Sequence, residues 1–209
     1  MLQAPTARFG LLPLWAHGLA LLAAVAAAAL ALVLRLGAPA ALPGTDLGGD
    51  LAPPFRLTDH RGVSVGLEDF RGRPVVLAFL YTSCQDVCRL TGAGLRQTVE
   101  LLGDDARSVR LLAISVDPAG DDPAAVRRYL ARYALSERML YLTGPAEALP
   151  PVWGRYHLFV NTSRTAGLEA HTDALFLLDR EGRQRALLHS DFDPDELARG
   201  LRALLRESW

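Results

Sequence analysis

Apolar residues along this chain follow three patterns. From Leu11 to Leu34 there are 24 consecutive residues without a formal charge, and Leu19–Leu34 is apolar throughout. At about 1.5 Å per helical residue, that length suits a hydrocarbon core of about 30 Å. Trp15 and His17 stand near its start, with Arg8 before it and Arg35 after it. The pattern predicts a membrane anchor over residues 1–36. The alternative is a cleaved signal sequence, for which Ala38-Pro39-Ala40 supplies a loose cleavage match. Either reading sends the remainder of the chain out of the cytoplasm.

The second pattern is the Gly- and Pro-rich stretch 37–54, with no basic residue, which predicts a flexible tether. The third is an alternation of strand and helix signals over 55–209. Phe55-Arg56-Leu57 and Val63-Ser64-Val65 flank a turn. Val75–Tyr81 and Val109–Val116 are apolar runs of the kind buried on both faces of a sheet. Leu90, Leu95, Val99 and Leu102 set a helical stripe, which Gly92 and Gly94 weaken. Asp122-Pro123 and Asp193-Pro194 each pair a capping residue with proline at the first helical position. Met139–Leu142 predicts a short strand and 146–156 a short helix. Asp179–Gly182 joins Ala174–Leu178 to Arg185–Leu188 as a hairpin. The order predicts one α/β domain of three layers.

Charge narrows the function. The 22 basic and 23 acidic residues nearly cancel, and every basic residue is arginine. A nucleic-acid partner is therefore not expected. Two cysteines exclude a disulfide-stapled scaffold, and two methionines exclude a Met-rich metal carrier.

Those two cysteines carry the chemistry. Tyr81-Thr82-Ser83-Cys84-Gln85-Asp86-Val87-Cys88 follows the first buried run directly. With a helix starting there, the thiols lie one turn apart on one face, about 5–6 Å between Cβ atoms. A helix N-terminus and the neighbouring Arg89 favour thiolate at both. Two thiolates select Cu(I) or Zn(II) over harder ions. Sequence leaves the third ligand open among His60, His157, His189 and His171, the last just ahead of the strand Ala174–Leu178.

This arrangement resembles the Sco/SenC family of membrane-anchored, thioredoxin-like copper proteins. The resemblance runs over roughly residues 50–207. It is carried by Phe70-Arg71-Gly72-Arg73-Pro74, Tyr81-Thr82-Ser83-Cys84 through Asp86-Val87-Cys88, Ser115-Val116-Asp117-Pro118, Leu142-Thr143-Gly144, and His171 ahead of Leu178-Asp179. It implies a thioredoxin-like domain with a central mixed sheet behind one transmembrane helix. It implies copper, Cu(I) and also Cu(II), on Cys84, Cys88 and His171, with Asp86 and Asp117 nearby. The implied role is a metallochaperone rather than an enzyme. It would receive copper from a periplasmic donor and deliver it to cytochrome c oxidase subunit II, or to another oxidase copper site. The implied place is the inner membrane, single-pass, with the domain on the periplasmic side. Some members reduce partner cysteines, so thiol–disulfide exchange through Cys84 and Cys88 is the alternative function. The sequence departs from the family at Gln85 and Arg89, where proline usually follows each cysteine, and at Ala170, where aspartate often precedes the histidine.

Overall fold

The computed structural model describes residues 14–36, 42–84, 86–161 and 172–207. The chain divides into two compact units, Met1–Pro39 and Ala40–Trp209. In the first, helix α1 spans Leu14–Leu36. Its described side chains, those of 17–30, are exposed. Among the described residues no helix is long and apolar enough to cross a membrane. The structure therefore does not establish the transmembrane helix expected over 1–36.

The second unit is built on strands β1 (Thr45–Asp46), β2 (Arg56–Asp59), β3 (Ser64–Gly66), β4 (Val75–Leu80), β5 (Arg110–Ser115), β6 (Met139–Thr143), β7 (Leu175–Leu178) and β8 (Gln184–Leu188). They form one sheet in the order β1-β8-β7-β4-β5-β6-β2-β3. The pairs β4–β5 and β5–β6 are parallel, and the others are antiparallel. The sheet is thus mixed, as expected.

All six residues of β4 are buried because the strand alternates between two cores. Val76, Ala78 and Leu80 face one core with residues of α2 (Val87–Leu102), α3 (Pro123–Arg132) and α5 (Pro194–Arg206). Val75, Leu77 and Phe79 face the other, covered by Val152 and Trp153 of α4 (Pro150–Arg155) and by Phe55 and Phe70.

Two expectations change. The tether expected over 37–54 is not free along its whole length. Thr45 and Asp46 pair with Leu187 and Ala186. Farther on, Leu47 N–H donates to Arg185 O and Ala52 N–H to Gly182 O. The edge of β8 offers backbone groups that this segment satisfies, and Leu47 and Ala52 pack on the core beside it. The glycines of α2 are also not mere weak points. A Cβ on Gly92 would lie 2.8 Å from Tyr129 Oη and 2.7 Å from Tyr133 Cδ2, and one on Gly94 would lie 2.7 Å from Phe192 Cζ.

Helix propensity favours Gly92→Ala by about 1 kcal/mol. The clash opposes it, because Tyr129 Oη is held 2.7 Å from Cys88 O and cannot retreat without breaking that bond. Overpacking costs of about 1–3 kcal/mol outweigh the propensity gain. Gly92→Ala should lower stability in urea denaturation, whereas an unhindered glycine would give a more stable alanine variant.

Candidate metal centre

The cysteine turn leaves the C-terminal end of β4. Cys84 N–H donates to Tyr81 O at 3.4 Å, and α2 begins at Val87 after Asp86 at the N-cap. The helix thus starts three residues later than Cys84, and only Cys88 lies within it. No Asp86 side-chain bond caps the helix. Instead, Cys88 N–H donates to Cys84 Sγ at 3.3 Å, so the sulfur occupies the acceptor position that a capping oxygen usually fills.

This geometry makes the two thiols unequal, contrary to the expectation that both favour thiolate. Hydrogen bonding from the Cys88 thiol comes first in holding Cys84 below the ordinary thiol range. Burial opposes the shift, and the backbone groups of Cys88 and Asp86 and the Tyr81 side chain add to it. Cys88 is pushed strongly up, first because its proton is shared with Cys84 and second by burial. Both residues are buried, Cys88 completely. At pH 7 iodoacetamide should modify Cys84 of the reduced, metal-free protein at least about tenfold faster than Cys88, since thiolate is the nucleophile. Fragment-ion mass spectrometry of the labelled peptide locates the adduct, and equal labelling would contradict the asymmetry.

Behind the turn lies a buried polar group that the sequence did not reveal. Asp121 accepts from Thr82 N–H at 2.7 Å, Ser115 Oγ at 2.6 Å and Tyr141 Oη at 2.8 Å. Tyr141 Oη is also 3.0 Å from Leu80 O, at the last residue of β4. Burial raises the Asp121 carboxyl above its usual range, against the pull of those bonds. Trp153 Nε1–H donates to Ser115 O at 3.0 Å from the opposite core. Asp121 thereby braces the backbone two residues before Cys84. In the sequence it is one half of an Asp-Asp doublet whose second member, Asp122, caps α3 through Ala124 N–H and Ala125 N–H. Nothing in that pattern distinguishes a buried aspartate from a second solvated one.

The other expected residues are distributed as follows. Asp86 is exposed at the N-cap. Asp117 Oδ1 accepts from Gly120 N–H at 3.1 Å and closes the turn after β5. His171 and Gln85 lie outside the described residues. His60 Nδ1 is 3.5 Å from Tyr141 N, and His189 Nδ1 is 2.7 Å from Asp173 O. His157 is exposed after α4. Among the described residues no three His, Cys, Asp or Glu side chains form a metal-binding group. The sulfur pair itself has the soft donor character that Cu(I) requires. A cavity of about 290 Å³ opens beside Cys84, lined among others by Arg89, Arg128, Tyr129, Arg132 and Tyr133.

The SCO1/SenC family model matches residues 44–206, most of the chain. The chain belongs to the SCO1/SenC family. Among its relatives is the mitochondrial SCO2 homolog of Bos taurus, 34% identical over 134 residues, covering 61% of this chain and 50% of that protein. The chain therefore spans about half the length of that relative. A structure of Bradyrhizobium japonicum ScoI with copper bound superposes with a TM-score of 0.66 at 30% identity, covering 74% of this chain and 99% of that one. BsSco, described as a member of the Sco family of cytochrome c oxidase assembly proteins with a disulfide switch, shares the fold. Its TM-score is 0.67 at 19% identity, over 80% of this chain and all of that one. The mixed-sheet α/β domain of this SCO1/SenC chain is thus the thioredoxin-like Sco fold.

Proposed function

We propose that this chain is a copper-binding assembly factor. It would carry copper on Cys84, Cys88 and His171 to the dinuclear centre of cytochrome c oxidase subunit II, or to another oxidase copper site. The observation that carries this reading is the sulfur pair at the end of β4, with Cys88 N–H on Cys84 Sγ, in a chain whose ScoI relative binds copper. Strand pairing supports His171 as the third donor. Antiparallel pairing of Ala78 with Leu175 brings the approach to β7 to the same end of β4 as the cysteines. Asp86 and Asp117 belong to the surroundings of the site in this reading. The copper enters from a periplasmic donor and leaves by ligand exchange, when a partner thiolate or imidazole takes the place of one protein ligand. Residues 1–36 act as a single-pass inner-membrane anchor, and the domain works on the periplasmic side.

An anaerobic Cu(I) titration of the reduced full chain in neutral detergent, against a chromogenic chelator, tests the proposal. One equivalent bound tightly, with affinity reduced in His171→Ala, is the expected result. Binding indifferent to His171 would overturn the three-ligand site.

A second reading, reduction of partner disulfides, is favoured by the unequal thiols. Cys84 then attacks as thiolate, and Cys88 holds the proton until it resolves the mixed disulfide.

A further inference from the structure

Among the described residues, the formally charged side chains lining the cavity beside Cys84 are all arginines. Arg89 enters it from α2, and Arg128 and Arg132 enter it from one face of α3 at i and i+4. Among the described residues, no carboxylate lines it. Elsewhere arginines pair closely with acids: Arg61 with Asp59 at 2.8 Å, Arg185 with Glu207 at 2.7 Å, and Arg202 with Asp105 at 3.2 Å. Arg128 and Arg132 make no such pair among the described residues. Arg128 and Arg132 repel each other beside this recess, and an anion between them reduces that repulsion. Guanidinium groups also match carboxylate geometry in two-point hydrogen bonds. The rings of Tyr129 and Tyr133, 5.0 Å apart, form an apolar wall. A volume of about 290 Å³ lies at the small end of ligand pockets and suits one side chain or a small organic acid.

We propose that this cleft binds the carboxylate of an anionic disulfide and aligns its sulfur against Cys84 Sγ. The inference rests on the thiol-exchange reading and not on copper. The Cys84 thiolate displaces one sulfur of the ligand and forms a mixed disulfide, releasing one ligand thiolate. Cys88 then gives up its proton and attacks Cys84 Sγ, releasing the second thiolate and closing a Cys84–Cys88 disulfide. The protein dithiol is oxidised by two electrons and the ligand disulfide is reduced.

The test compares two probes on the reduced, metal-free full chain in neutral detergent. One is the dicarboxylate disulfide 5,5′-dithiobis(2-nitrobenzoate), and the other is the neutral 4,4′-dithiodipyridine. Both react with the same sulfur, so the ratio of their rates cancels any change in thiol ionisation. The double variant Arg128→Gln/Arg132→Gln should lower that ratio on the order of tenfold, within the usual range of electrostatic rate effects. The lysine pair should retain most of it. A ratio within twofold of the parent's overturns the proposal, as does an equal fall in both rates. Glutathione disulfide and a glutamate-flanked peptide disulfide then separate the sources. Arginine-dependent rates with the first indicate a free small ligand, and with the second alone a partner's segment. Arginine dependence with neither overturns the cleft as a binding site. Failure here leaves the copper titration untouched, and failure of that titration leaves this ratio unchanged.

Discussion

Cys84→Ser lowers the affinity for Cu(I) by more than about a hundredfold. Substitutions that disturb only the residues supporting a metal ligand typically cost 10–100-fold, and this one removes a ligand. Serine is a hard donor that stays protonated at neutral pH, whereas Cu(I) selects thiolate. Cys84 Sγ accepts the Cys88 N–H. A serine hydroxyl can accept the same N–H, so the fold survives and the affinity falls for a chemical reason. Cys88→Ser should bind as weakly, because it removes the second thiolate of the proposed site. Cys88 is fully buried, so a hydroxyl there also costs stability unless it keeps the hydrogen bond to Cys84 Sγ. Competition titration against the chelator reads the loss, and circular dichroism reads the fold. A Cys84→Ser variant that is folded and binds like the parent would move the copper site away from this turn.

Tyr141→Ala is expected to destabilise the protein by about 3–5 kcal/mol, the range for removing a large aromatic ring from a core. Tyr141 is completely buried, and its hydroxyl serves Asp121 and Leu80 O together. Tyr141→Phe separates the hydroxyl from the ring and should cost about 1–3 kcal/mol, because a buried acceptor loses its donor. The sign of its pH dependence follows from Asp121. Burial raises that carboxyl in the folded state, so the contribution is favourable below the unfolded carboxylate pKa and is lost as pH rises through the folded value. Without the tyrosine hydroxyl the folded value rises further. The Tyr141→Phe deficit should therefore be smaller near pH 4 than near pH 8 in urea denaturation. A deficit independent of pH would mean that Asp121 is not coupled to this ring.

The sheet was legible in the sequence because its central strands are continuous apolar runs, and Asp-Pro signals marked the starts of α3 and α5. The pair Thr45–Asp46 was not, since it joins the sheet through backbone alone. Hydrophobic patterning carries no record of such pairing. The turn bearing Cys84 was legible as chemistry, but the inequality of its thiols was not. That inequality depends on the helix starting at Val87 rather than at Cys84, and end positions are what periodicity fixes least. Gly92 read as a helix defect because its reason for being glycine lies in Tyr129 and Tyr133, about 40 positions away.

If residues 1–36 anchor the chain as proposed, the strip of backbone along β8 would also set how far the site can travel. It is held by the Thr45–Asp46 pairing, by backbone bonds from Leu47, Gly49, Ala52 and Gln184, and by the packing of Leu47 and Ala52. Short edge pairings belong to the low end of local unfolding free energies. Peeling residues 45–52 from β8 would lengthen the leash to the domain by on the order of 25 Å, at about 3.3 Å per residue. The parallel pair β4–β5 beneath the cysteines stays intact. In that arrangement an edge clasp of this kind would act as a spool, paying out chain under tension while the turn bearing Cys84 and Cys88 keeps its shape.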